Sequence, residues 1–174
     1  MSIKVLSAAV VGLDGQVVEV EAARASGLRN FTIVGLGDAA VKEARERVHA
    51  AMRFSNFDFP RGHVSVNLAP ADIKKQGTAY DLQIALAVLG VTDSYPREAL
   101  KGLVVGELAL DGAVRPVGCV LLVAMAAKAA GMRCLIGEVL FDFPSPNAKT
   151  PADGLAYTRG LLERWADDPL LRVI

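Results

Sequence analysis

Val66-Asn67-Leu68-Ala69-Pro70-Ala71-Asp72-Ile73-Lys74-Lys75-Gln76-Gly77-Thr78-Ala79-Tyr80-Asp81-Leu82 carries the chain out of one regular element and into another. His63 to Leu68 alternates apolar with polar residues, the period of a half-buried strand. Pro70 to Thr78 is polar, with two adjacent lysines and a glycine. Asp81 to Val91 is apolar on nearly every position, which predicts a helix covered on most of its sides. A strand, a polar loop and a buried helix follow one another here, as in a sheet with helices packed on it.

The residues before this stretch read in the same way. Ile3 to Val11 is a β-branched run, and Leu13-Asp14-Gly15 after it predicts a hairpin turn at Asp-Gly. Gln16 to Ala23 alternates, with Val18 and Val20 opposite Glu19 and Glu21. Gly27 breaks the run, and Asn30 to Val34 predicts a third strand closed by Gly35 and Gly37. Asp38 is placed to cap a helix. Ala40, Val41, Ala44, Val48, Ala51 and Met52 recur at helical spacing, so an amphipathic helix is expected from Ala39 to Phe54. Arg45 and Arg47, interspersed with Glu43 and Glu46, read as its solvated face.

Beyond Val91, Pro96 to Lys101 suggests a short helical turn. Leu103 to Leu110 and Ala113 to Val117 flank a second Asp-Gly turn and read as a hairpin. Val120 to Ala130 predicts an apolar helix stopped by Gly131, and Arg133 to Ile136 a buried strand. Asp142 to Gly154 reads as a proline-rich loop and Leu155 to Trp165 as a last helix. The expected fold is α/β (α+β): a mixed β-sheet with packed helices and a βαβ core, residues 1–174 forming a single domain.

Composition limits the function classes. Apolar residues make up 52% and aromatics 6%, which fits a core of Ala, Val, Leu and Ile. Nineteen basic residues balance nineteen acidic ones, so any polyanion contact must be local. The two cysteines, Cys119 and Cys134, have no C-x-x-C spacing, and no zinc or redox motif results. No apolar stretch approaches the ~18 residues of a membrane helix. These features point to a reduced, cytoplasmic protein without a signal peptide.

The candidate sites are few. Val34-Gly35-Leu36-Gly37-Asp38 leads from strand to helix, but the third glycine of a dinucleotide fingerprint is replaced by Ala40. Asp38 also opposes an anion there. A tight turn with an N-cap is the better reading. No G-x-x-x-x-G-K-[ST] loop occurs, and neither His49 nor His63 lies in a catalytic pattern. Cys119, with Val117, Gly118, Val120 and Leu121 around it, reads as a packed, inert thiol. Lys74 and Lys75, with Gly77, form the most interesting polar loop, which reads as a solvated surface loop or as a contact for phosphates or a partner domain.

Two segments carry a family resemblance: the stretch Val66 to Leu82, and Gly106-Glu107-Leu108-Ala109-Leu110-Asp111-Gly112-Ala113-Val114-Arg115-Pro116-Val117. They resemble the Lon-protease-like domain that begins the ComM (YifB) family of magnesium-chelatase-related AAA+ proteins. Phe31 to Leu36, Ala40 to Val48 and Gly154 to Glu163 extend the likeness to about Val5–Glu163. RadA, another recombination protein with a Lon-like domain, is less similar at Asn67 to Asp72. Gly37, Gln83, Cys119 and Leu122 depart from the family pattern at turns and helix starts.

The resemblance implies a Lon-like fold. It also implies that a Lon peptidase's serine and lysine are replaced by Ala79 and Leu121, so the chain is not expected to be an enzyme. It implies an N-terminal module for assembly or DNA interaction in recombination and transformation. The ATPase region of the family, absent from this chain, would be its partner and would use ATP and magnesium, with no cofactor in this chain. A ring-forming homo-oligomer and a weak DNA contact at Lys74, Lys75 and Gly77 are expected, and no membrane. A divergent peptidase and a stand-alone interaction module are the alternatives.

Overall fold

The structure, a computed structural model, describes residues 2–35, 37–75, 77–92, 102–136 and 139–141, the side chains of 135–141 excepted. β1 (Ser2–Val11) and β2 (Asp14–Ala25) form a long antiparallel hairpin. β3 (Asn30–Val34), α1 (Ala39–Phe54) and β4 (His63–Ala69) follow, and β3 and β4 pair in parallel. This is the expected βαβ unit. α2 (Asp81–Gly90), β5 (Leu103–Val105), β6 (Glu107–Leu108), β7 (Val114–Arg115), α3 (Val120–Ala129), β8 (Cys134–Ile136) and β9 (Val139–Phe141) complete the described elements.

Seven strands form one mixed sheet in the order β3-β4-β2-β1-β5-β8-β9, and β6 with β7 makes a separate ribbon. The fold is therefore mixed α/β, as the periodicity predicts. Alternation along β1 divides the core. Ile3, Val5 and Ala9 join Val18, Val20 and Ala22 under α1 and α2. Ala8 and Val10 lie with Leu103, Val105 and Cys134 beneath Val123, Ala124 and Ala127 of α3. Thus α1 and α2 occupy one face of the sheet and α3 the other.

Each helix follows from its sequence. α1 begins at Asp38, whose carboxylate accepts from the Val41 amide at 3.0 Å. It buries Val41, Ala44, Val48, Ala51 and Met52, the predicted stripe. All ten residues of α2 are buried. α3 is equally apolar yet buries only Val123, Ala124 and Ala127; Leu121 and Met125 remain exposed.

Two turns differ from expectation. The β1–β2 loop is Gly12-Leu13, because Val11 pairs with Asp14. Gly12 takes φ +63°, the positive value a two-residue hairpin needs. Asp14 and Gly15 lie in β2 instead. A Cβ on Gly15 would stand 2.5 Å from the Leu122 carbonyl, so this glycine lets α3 approach the sheet. The single strand expected from Leu103 to Leu110 is two. Gly106 interrupts it, its amide donating to Ala79 and its carbonyl accepting from Leu82, so the backbone turns from the sheet to the head of α2. β9 was not expected. Pro96 to Lys101 and Asp142 to Trp165 lie outside the described residues.

Candidate functional site

The loop between β4 and α2, the start of α2 and the short β6 strand meet α1 along its length, around Arg47. The fold brings charged residues together there from distant points of the chain, Arg47 and Asp81 first. Arg47 on α1 donates from Nε to Asp81 Oδ2 at 2.6 Å and from Nη2 to Asp81 Oδ1 at 3.0 Å. Its Nη2 also donates to the Ala40 carbonyl at 2.8 Å, and the Leu108 amide donates to Asp81 Oδ2 at 3.3 Å. The Asp81 side chain is wholly buried, and that of Arg47 is 19% exposed. Arg47 is therefore not part of a solvated face. Its spacing among glutamates is a local signal, whereas its partner lies 34 residues away.

Burial pushes the Asp81 carboxyl above the ordinary carboxylate range, and the Arg47 guanidinium and Leu108 amide pull it back only in part. The same ion pair raises Arg47. The fork geometry fixes α1, α2 and β6 relative to one another.

Next to this pair, the Thr78 hydroxyl donates to the Glu107 carboxylate, which also lies 3.5 Å from the Arg115 guanidinium. Ala79 follows Thr78. Its carbonyl accepts from Gly106, and its methyl packs against the cluster beneath α3. Gln83, one turn into α2, donates to the Ala79 carbonyl at 2.7 Å and lies 2.6 Å from the buried Ser7 hydroxyl. Among the described residues Gln83 Oε1 has no hydrogen-bond partner.

The lysine loop departs most from expectation. Lys75 is wholly buried and its ammonium donates to the Pro70 carbonyl. Burial lowers its pKa, with Asp72 opposing the change. An ammonium used in this way is not offered to a phosphate. Asp38 holds the loop down: its amide donates to the Lys75 carbonyl at 3.1 Å, and its Oδ2 accepts from the Gly77 amide at 3.0 Å. Burial alone would raise the Asp38 carboxyl, but the amides of Val41, Gly77 and Ala40, with Lys74, leave it below the ordinary value. Of Lys74, Lys75 and Gly77, only Lys74 has an exposed side chain. Local sequence shows that this loop is polar; it does not show which lysine the Asp38 tether draws inward.

One cysteine departs from expectation, and the other lies in the buried strand as expected. Cys119 is exposed at the start of α3 with φ +58°, rather than packed. Cys134 is the buried one, and burial pushes its thiol up to about 11. The native chain is expected to take up iodoacetamide at Cys119 and to resist it at Cys134 until denaturant is added. Peptide mass spectrometry of the alkylated chain checks this; rapid native labelling at Cys134 would contradict its position in the sheet. His49 lies exposed on α1, its ring 5.2 Å from that of Phe59. Among the described residues no group of three or more His, Cys, Asp or Glu is placed to hold a metal. No described helix is long and apolar enough to cross a membrane.

The Val66–Leu82 loop and the Gly106–Arg115 ribbon, joined at the head of α2, are the parts that invite comparison. The family described as subunit ChlI of Mg-chelatase matches residues 18–138. The chain belongs to the ChlI family. An uncharacterized protein of Mycobacterium tuberculosis is 43% identical over 134 residues, 76% of this chain and 27% of that protein. YifB of Escherichia coli is 37% identical over 131 residues, and the competence protein ComM of Haemophilus influenzae is 37% identical over 135. Each match covers about three quarters of this chain and 26% of the relative.

This ChlI-family chain thus spans about a quarter of the length of those curated relatives. The family match stops at residue 138, and the segment Gly154 to Glu163 lies both beyond it and outside the described residues. A second, shorter likeness is of another kind. A 5-methylthioadenosine/S-adenosylhomocysteine deaminase of Syntrophus aciditrophicus is 74% identical over 50 residues, 29% of this chain. Those residues are 11% of the deaminase, too small a share of it to carry its chemistry to this chain.

Proposed function

We propose that this chain is the non-catalytic, Lon-like N-terminal module of a ComM/YifB-type ATPase, serving assembly or DNA contact in recombination. The ATPase region of such a protein is its partner, in a ring, and the ATP and magnesium belong to that region. One observation carries the reading: the head of α2 offers no nucleophile with a free base. Ala79 has no hydroxyl, and the Leu121 side chain is 71% exposed on the outside of α3 with no amine to give. The polar groups alongside are committed to one another, Asp81 to Arg47 and Thr78 to Glu107.

The test is chemical. The chain is expected to cleave neither casein nor short peptides, and to take no label from a fluorophosphonate. The Ala79→Ser variant is expected to stay unlabelled too, because a serine alone brings no amine base. Stoichiometric labelling of the unaltered chain at Thr78 would favour the divergent peptidase, with Glu107 as the base, and would overturn the proposal. Isothermal calorimetry is expected to give no ATP affinity better than about millimolar, roughly 4 kcal/mol. Micromolar binding would show a nucleotide site within the module itself.

A further inference from the structure

The end of the sheet opposite the Asp38–Lys75 tether is rich in arginine. Arg24 stands near the end of β2, Arg29 just before β3, and Arg61 just before β4. These are neighbouring strands, in the order β3-β4-β2. Ala25 pairs with His63 on one side, and Asn30 pairs with the same His63 on the other. Strands lie about 4.8 Å apart, so the three positions form a row roughly 10 Å across. All three arginines are exposed, and among the described residues none of them makes a salt bridge.

Two clefts open along this row. One, of about 440 Å³, is lined by Arg24, Arg61 and the backbone of Gly27 and Gly62. The other, of about 220 Å³, is lined by Arg29, Arg45, His49 and Phe59. They adjoin, since the Asn30 amide at one donates to the Gly62 carbonyl at the other, at 3.2 Å. Glu46 also lines the second cleft and lies 3.6 Å from Arg45, so Arg45 is partly neutralised. Asp58 is the other exposed acid on the loop leading to Arg61. Three guanidinium groups without an ion pair among the described residues still outnumber these acids, in a chain whose net charge is zero.

We infer that this arginine end binds the phosphate backbone of a single-stranded nucleic acid. Guanidinium forks match phosphate oxygens, and a row of them follows a strand rather than enclosing a small anion. Half-buried Phe59 and exposed His49 line the second cleft beside Arg29, their rings 5.2 Å apart and tilted by 43°. Aromatic rings next to a basic groove suit unpaired bases, which a duplex keeps stacked inside. The inference deepens the DNA-contact half of the proposed function and rests on it. It moves that contact from the Lys74–Lys75 loop to the other end of the sheet.

The experiment compares the full 174-residue chain with the Arg24→Gln/Arg29→Gln/Arg61→Gln variant and with Lys74→Glu. Binding to a fluorescein-labelled oligothymidylate and to a duplex of equal length is followed by anisotropy over a range of salt. Circular dichroism confirms that all three chains melt alike. The wild type should bind the single strand at low salt. The triple variant should lose at least about tenfold in affinity, with a salt slope shallower by about 2, from three single-strand phosphate contacts at ~0.7 each. Lys74→Glu should bind as the wild type does. If the triple variant binds as tightly as the wild type, the arginine surface is refuted while DNA contact stands. If the wild type binds neither nucleic acid at low salt, both fall, and assembly alone remains. A strong preference for duplex refutes the single-strand assignment.

Discussion

Replacing Arg47 by methionine is expected to destabilise the domain by about 3–5 kcal/mol, the cost of leaving one buried charge without its partner. Asp81 is the charge left behind. It is wholly buried, and with Arg47 gone the Leu108 amide is the one donor left to its carboxylate among the described residues. The Ala40 carbonyl loses its guanidinium donor as well. The effect should depend on pH in a definite direction. Burial already places the folded Asp81 carboxyl above its ordinary value of 3.8. A carboxyl raised on folding gives up its proton in the unfolded chain first, so stability falls as pH rises from 3.8 through the folded value. Without the guanidinium that value rises further, and the window widens.

Arg47→Met should therefore lose most stability at neutral pH and recover part of it in mild acid. Urea unfolding at two pH values measures both. Arg47→Lys should fall between, since an ammonium cannot span both carboxylate oxygens and the Ala40 carbonyl. The Arg47→Met/Asp81→Leu double variant should be more stable than Arg47→Met alone, because no charge remains buried. A loss below about 1 kcal/mol in Arg47→Met would show that the pair behaves as a surface contact.

The second large effect is expected at Gly35, where β3 ends. Its φ is +101°, a conformation that side chains avoid, and an added Cβ would overlap the Leu68 carbonyl oxygen and lie 2.8 Å from the Leu68 amide nitrogen. Both neighbours are backbone of β4, so neither can swing aside. Gly35→Ala should cost at least about 3 kcal/mol, the upper end for a strained backbone residue, with the clash added. Gly27→Ala provides the control. It too has positive φ, at +133°, but its Cβ would meet nothing within 4 Å. It should pay for strain alone. Equal melting temperatures for the two variants would show that the approach of β3 to β4 is looser than the structure has it.

These two positions also mark where sequence reading stops. Gly35 reads as a turn glycine, and a turn is what forms. The overlap with Leu68 depends on β4 returning in parallel beside β3, across a 16-residue helix. Arg47 has its Glu43 and Glu46 neighbours in plain view, and its true partner is on another helix. The arginine row is hidden for the same reason: residues 24, 29 and 61 become neighbours only through the order β3-β4-β2.

The sequence by itself determined what local forces control. The bounds of α1, its Asp38 cap, the burial of α2, the first four strands in chain order and the family likeness carried by Val66–Leu82 and Gly106–Val117 all follow from side-chain period, capping chemistry and motif. Only the tertiary structure decided the break at Gly106, the displaced Gly12-Leu13 turn, the burial of Lys75, the exposure of Cys119 and the Arg47–Asp81 pair. Each of these rests on a contact between segments distant in sequence or on a strand register. A side chain's neighbours along the chain fix which element it joins; the element packed against it decides whether its charge faces water or another charge.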